Sequence, residues 1–142
     1  MGIQGILKNG PILAAILAWA IAQTTKIALT FFKTDKMDWS RAYGSGGMPS
    51  SHSALVMALA FNLGKTQGFD SPFFAVAIVL VMIVMYDAAG VRRAAGKQAE
   101  LLNQLIHHQG FGTTEQLKEL LGHTPLEVIA GAILGIVIGL LW

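Results

Sequence analysis

Apolar residues fall into four blocks separated by polar connections. The first runs from about Pro11 to Phe32, the second from about Ser50 to Leu63, the third from Pro72 to Tyr86 and the last from about Thr124 to Trp142. About twenty apolar helical residues cross the hydrocarbon core of a bilayer. The second block is short for a crossing, and the flanking Gly64-Lys65-Thr66 can extend it. Pro11 and Pro72 suit first helical positions, where the missing N–H costs nothing. Asn62 and Gly68 mark a turn over Gly64–Ser71. Lys33 to Gly47 is a polar connection in which Trp39 and Tyr43 suit a membrane interface. Ala94 to Gly122 is a longer one. Leu101, Leu102, Leu105 and Ile106 recur at helical spacing within Lys97 to His107, which predicts an amphipathic helix at the membrane surface. Thr113-Thr114-Glu115-Gln116 predicts a second short helix reaching Leu121. The pattern is that of an all-α polytopic membrane helix bundle, with about four transmembrane helices plus an amphipathic surface helix, in a single domain over residues 1–142.

Composition agrees with a bilayer setting. Of 142 residues, 54% are hydrophobic and 13% charged, against about 25% charged in a soluble domain. The mean hydropathy is +0.57. There are no cysteines, which excludes a disulfide framework and a thiolate metal site. A formal charge of +2, without a basic block carrying interleaved aromatics, gives no sign of nucleic acid as a partner. The opening residues lack the basic, apolar and small-residue order of a signal peptide, so the first block is expected to stay as a membrane helix.

Threading the four blocks back and forth brings chemistry to one side. Lys26 lies near the end of the first span, His52 at the start of the second, Asp87, Arg92 and Arg93 at the end of the third, and His123 and Glu127 at the start of the fourth. The opposite side receives Lys8, Lys65 and Asp70. Lys26 has two readings, a cation snorkelling to the interface or one turned into the bundle. His107-His108 read as solvated loop residues.

Gly46-Gly47-Met48-Pro49-Ser50-Ser51-His52 leads straight into an apolar helix. Ser50 or Ser51 can cap that helix, and its first N–H groups and dipole favour an anion. The same pattern also describes an ordinary capped helix with an interfacial His. His123 and Glu127 are four residues apart and share a helix face. A carboxylate there can take the Nδ1–H of the imidazole and leave Nε2 as a nucleophile, or the two form a plain polar pair. His52 can act as general acid. Lys26, Arg92, Arg93, Ser50 and Ser51 can hold phosphoryl oxygens. Nucleophile, acid and anion clamp together describe phosphoryl transfer through a phosphohistidine. Cations dominate the set, which argues against a divalent metal centre.

Pro49-Ser50-Ser51-His52 resembles the Pro-Ser-Gly-His motif of the type 2 phosphatidic acid phosphatase superfamily, which also includes the vanadium haloperoxidases. His123-Thr124-Pro125-Leu126-Glu127-Val128-Ile129-Ala130-Gly131 resembles its third motif, in which an Asp follows a His by four residues. Together with Tyr86-Asp87-Ala88-Ala89-Gly90-Val91-Arg92-Arg93, these stretches are more closely similar to a divergent branch of small membrane proteins. The resemblance implies a helical bundle with His123 as nucleophile, Glu127 as its orienting acid and His52 as general acid. Ser51 replaces the superfamily's Gly and Glu127 its Asp. The Arg expected about six residues before the His is absent, so Arg92 or Arg93 would have to fold back across an insertion of residues 94–122. The Lys-x6-Arg-Pro motif is also absent, and Lys26, or Lys33 with Arg41, would stand in. Asp87 and Arg41 are candidates for support.

The expected activity is hydrolysis of a lipid phosphomonoester or diphosphate, with no metal and no cofactor. Two other classes stay open: a non-enzymatic binding or assembly module with a degenerate phosphate site, and a metal-dependent hydrolase using His52, Asp87, His123 and Glu127. Gly131, Gly135 and Gly139 line one helix face, which can serve a homodimer or pack within the chain. Eight of the ten basic residues fall on the side of the candidate site. By the positive-inside rule, that side is expected to face the cytoplasm across the bacterial cell membrane, with both termini outside.

Overall fold

The computed structural model describes residues 3–34, 47–109, 117 and 122–142. Among these residues, a 3-10 turn, Ile3–Lys8, precedes five α-helices: α1 Gly10–Thr34, α2 Ser51–Gln67, α3 Pro72–Ala89, α4 Val91–Gln109 and α5 Pro125–Leu141. Among the described residues there is no strand. The expected helix over Thr113–Leu121, and Arg41, Lys36, Lys118, Trp39 and Tyr43, lie outside the described residues, as do the side chains of Lys33, His107 and His108.

Local chemistry accounts for the helix limits. Ser50, Ser71 and Thr124 are N-caps whose hydroxyls accept the N–H groups of Ser53, Phe74 and Glu127, meeting donors that a helix start leaves open. α2 continues through Gly64-Lys65-Thr66 and stops at Gly68, where φ is +98°. Helix α4, on the stretch expected to form an amphipathic helix, begins six residues before the expected Lys97. Gly90 does not fully interrupt the helical hydrogen bonding: its N–H donates to Tyr86 O at 2.8 Å and its carbonyl accepts Ala94 N–H at 2.9 Å. α4 is therefore joined to α3 through a single residue.

Among the described residues, two stretches are long and apolar enough to cross a membrane, Gly10–Phe32 and Pro72–Ile106. α2 and α5, with 17 residues each, sit at the short end of the spanning range. The bundle is packed inside out relative to a soluble protein. Its buried apolar residues are mostly alanines, among them Ala14, Ala18, Ala22, Ala54, Ala58 and Ala132, while Phe73, Val76, Met82, Ile83, Ile129 and Ile133 face outward. Lipid tails are as apolar as leucine, so helices gain from close approach more than from burying large side chains.

α2 is the central helix and packs on α1, α3 and α5. The α2–α5 seam is the tightest. Gly131, Gly135 and Gly139 lie against the backbone at Ser50, Ala54 and Ala58; a Cβ at Gly135 would fall 2.5 Å from Ala54 O, and one at Gly139 2.7 Å from Ala58 O. Small residues at intervals of four thus face each other across the seam. The seam also carries hydrogen bonds. Ser50 N–H donates to Glu127 O at 2.9 Å, and Asn62 Nδ2 donates to Gly139 O at 3.2 Å. Lys65 Nζ closes the far end on Leu140 O at 2.9 Å. Of the two uses open to the glycine face, packing within the chain is the one observed.

Candidate active site

The seam sets the site, because it joins the N-terminal ends of α2 and α5. His52 is the second residue of α2, and His123 stands two residues before α5. The third wall is the end of α3. His123 N–H donates to Ala88 O at 2.9 Å, which ties the start of the last helix to the end of the third. Gly122, with φ at +88°, packs so closely on the backbone at Arg92 and Arg93 that a Cβ would collide with it. The chain leaves this point at Arg93 and returns to it at Gly122.

A cavity of about 200 Å³ lies where these ends meet, lined by His52, Ile83, Val84, Asp87, Ala88, Arg92 and His123. His123 is only 2% exposed. Its Nδ1 lies 3.2 Å from Glu127 Oε2. That same oxygen accepts Thr124 N–H at 2.9 Å, and Thr124 Oγ1 accepts Glu127 N–H at 3.3 Å. Glu127 therefore closes a capping box and orients an imidazole with one carboxylate. A carboxylate beside Nδ1 assigns the proton to that nitrogen. Nε2 is then an acceptor, buried and without a hydrogen-bond partner among the described residues. Burial holds the His123 pKa below its usual 6.5; the bond to Glu127 and its charge pull the other way, and the Lys26 and Arg92 charges add to the depression. The neutral, nucleophilic form of His123 is thus favoured at pH 7.

Lys26 is 2% exposed. Its alkyl stem passes Gly47, where a Cβ would sit 3.3 Å from Cγ. Of its two readings, the buried cation is the one observed, although it does not line the cavity. Arg92 Nε donates to Asp87 Oδ2 at 2.6 Å, the two side chains being 47% and 37% exposed.

The cavity thus gathers His52, Asp87, Arg92 and His123, with Glu127 behind His123. Arg93 does not line it. Ser50 is fully buried as the α2 cap; its Oγ lies 3.1 Å from Ser53 Oγ. Ser51 is buried too, and neither hydroxyl is on the cavity wall. No folding back across residues 94–122 is needed, because Arg92, on the first turn of α4 just past the end of α3, already lines the cavity with His123. Sequence reasoning did not find Ile83, Val84 or the carbonyl of Ala88. Two apolar positions in a long apolar run and a backbone oxygen carry no signature. Among the described residues, no three His, Asp or Glu side chains converge as a metal-ligand set.

The model of the Divergent PAP2 family matches residues 7–138. The chain belongs to that family. It is also 40% identical over 149 aligned residues to the uncharacterized membrane protein YuiD of Bacillus subtilis (strain 168), with 95% of this chain and 94% of that relative covered. No solved structure matches. The match takes in α1, α2, α3, α4 and all but the end of α5, so the cavity and its walls fall inside the family region of a membrane protein.

Proposed function

We propose that this protein is an integral-membrane lipid-phosphate phosphatase that works through a phosphohistidine without a metal. One observation carries the reading: the buried Nε2 of His123, unpartnered among the described residues, with Nδ1 held by Glu127 at a cavity shared with His52 and Arg92. The Nε2 lone pair attacks phosphorus while the bond from phosphorus to the leaving oxygen breaks. His52, in its protonated form, gives its proton to that oxygen. Glu127 stabilises the imidazolium that forms on His123. Water then attacks the phosphohistidine, His52 takes the water's proton, and the phosphorus–nitrogen bond breaks to release inorganic phosphate. Arg92 and the buried charge of Lys26 offset negative charge on the phosphoryl oxygens.

Ile83 and Val84 place apolar wall beside the polar end of the cavity, and Ile83 is exposed on the bundle surface. That suits an ester whose alkyl chain stays in the bilayer. The side carrying the site faces the cytoplasm in this reading, supported by the distribution of basic residues. The test is phosphate release from a panel of lipid phosphomonoesters and diphosphates in detergent, repeated with His123→Ala. Release by the parent protein and none by the variant is expected. No release from any substrate would leave a binding module with a phosphate-type pocket.

A further inference from the structure

Arg92 is the cavity cation that a phosphate would meet directly, yet its side chain is half-exposed. A free arginine there would spread over many rotamers. Its inner nitrogen Nε is instead fixed on Asp87 Oδ2 at 2.6 Å, a short charge-assisted bond. Asp87 stands on the last turn of α3 and Arg92 on the first turn of α4, either side of Gly90, and both line the cavity. The bond to Asp87 uses Nε and not the terminal nitrogens Nη1 and Nη2. A half-exposed pair of this kind adds little to folding, so the consequence of the bond is in where it aims the guanidinium.

We propose that Asp87 is the positioning residue for Arg92: it holds the guanidinium through Nε and leaves the two terminal amino groups as a fork for a tetrahedral oxyanion. The inference rests on the reading of the cavity as a phosphoryl site. Asp87 does not contact the reacting atoms. Its carboxylate repels an incoming anion, so a role as simple counter-charge makes the opposite prediction: removing it would improve anion binding.

The experiment is tungstate binding to the intact protein in detergent, measured by titration calorimetry with thermal unfolding as a folding control. Asp87→Ala is expected to weaken binding about tenfold, the scale of coupling between contacting groups. Asp87→Asn, which still offers an oxygen to Nε–H, is expected to bind more tightly than Asp87→Ala. In an Arg92→Ala background, Asp87→Ala should cause no further loss. Should Asp87→Ala fail to fold, Asp87→Asn replaces it in the same cycle, and any loss it causes must likewise vanish with Arg92→Ala. Tungstate binding unchanged or tightened by loss of the carboxylate, or losses that add in the double variant, would overturn the inference. A parent protein that binds tungstate but releases no phosphate overturns the enzymatic reading alone. One that binds no tungstate overturns both.

Discussion

Glu127 Oε2 stands 3.2 Å from His123 Nδ1 and simultaneously accepts the N–H of Thr124. The helix cap and the orientation of the imidazole therefore depend on one carboxylate. If that oxygen moves, the first turn of α5 and the His123 ring both lose a partner.

Loss of His123 itself should abolish turnover and any acid-labile phosphoenzyme. His123→Ala is expected to keep the fold, because the bond that anchors this residue to Ala88 uses its backbone N–H. His52→Ala should fold and lose roughly 10²- to 10⁴-fold in rate, the usual contribution of a general acid. The deficit should shrink on substrates with better leaving groups. Phosphate release by His123→Ala at the parent rate would eliminate the phosphohistidine.

The pH profile reports the same pair. Attack needs neutral His123, whose pKa burial holds below 6.5. The acid limb of kcat/KM is therefore expected below pH 6.5. The bond to Glu127 and its charge raise that pKa; removing them lowers it. Glu127→Gln should shift the limb further to acid while lowering kcat, since the imidazolium intermediate loses its counter-charge. A limb that moves toward alkaline pH would contradict the assignment.

Vanadate and tungstate should inhibit, vanadate as a mimic of five-coordinate phosphorus, and EDTA should leave the rate unchanged. Strong inhibition by EDTA, reversed by a divalent cation, would return weight to a metal-dependent hydrolase. Arg92→Ala should weaken vanadate inhibition and Arg93→Ala should not, since Arg92 alone of the two lines the cavity.

The seam between α2 and α5 is open to a stability test. Gly135→Ala would put a Cβ 2.5 Å from Ala54 O, and a backbone oxygen cannot turn aside. Overpacking of this kind costs about 1–3 kcal/mol, so the unfolding midpoint in detergent should fall. Gly5→Ala is the control, with nothing within 4 Å of the added atom. Equal midpoints for the two variants would mean that the helices separate more easily than the seam implies.

Orientation can be read by labelling, since the chain has no cysteine. In intact cells, Gln98→Cys on α4 should resist a membrane-impermeant thiol reagent, and Asp70→Cys at the other end of the bundle should react. The reverse result would put the site outside and favour a substrate turned over at the outer surface.

The sequence by itself determined what helical periodicity and short-range chemistry control. The apolar blocks, a serine cap at Ser50 or Ser51 and the pairing of His123 with Glu127 four residues on all depend on near neighbours in the chain, and each is found. The gathering of His52, Asp87 and His123 followed from threading alone, because each lies at the end of a block. Tertiary structure decided what depends on helices meeting at particular heights. It chose Arg92 over Arg93 and packed the glycine face of α5 on α2. It also let Ala88 O hold His123, and started α4 directly beyond Gly90. Each of these distances is set by how closely two helices approach, to within the size of one methyl group. That approach is summed over many residues such as Ala54, Ala58, Gly131 and Gly135, and no local stretch of sequence contains it.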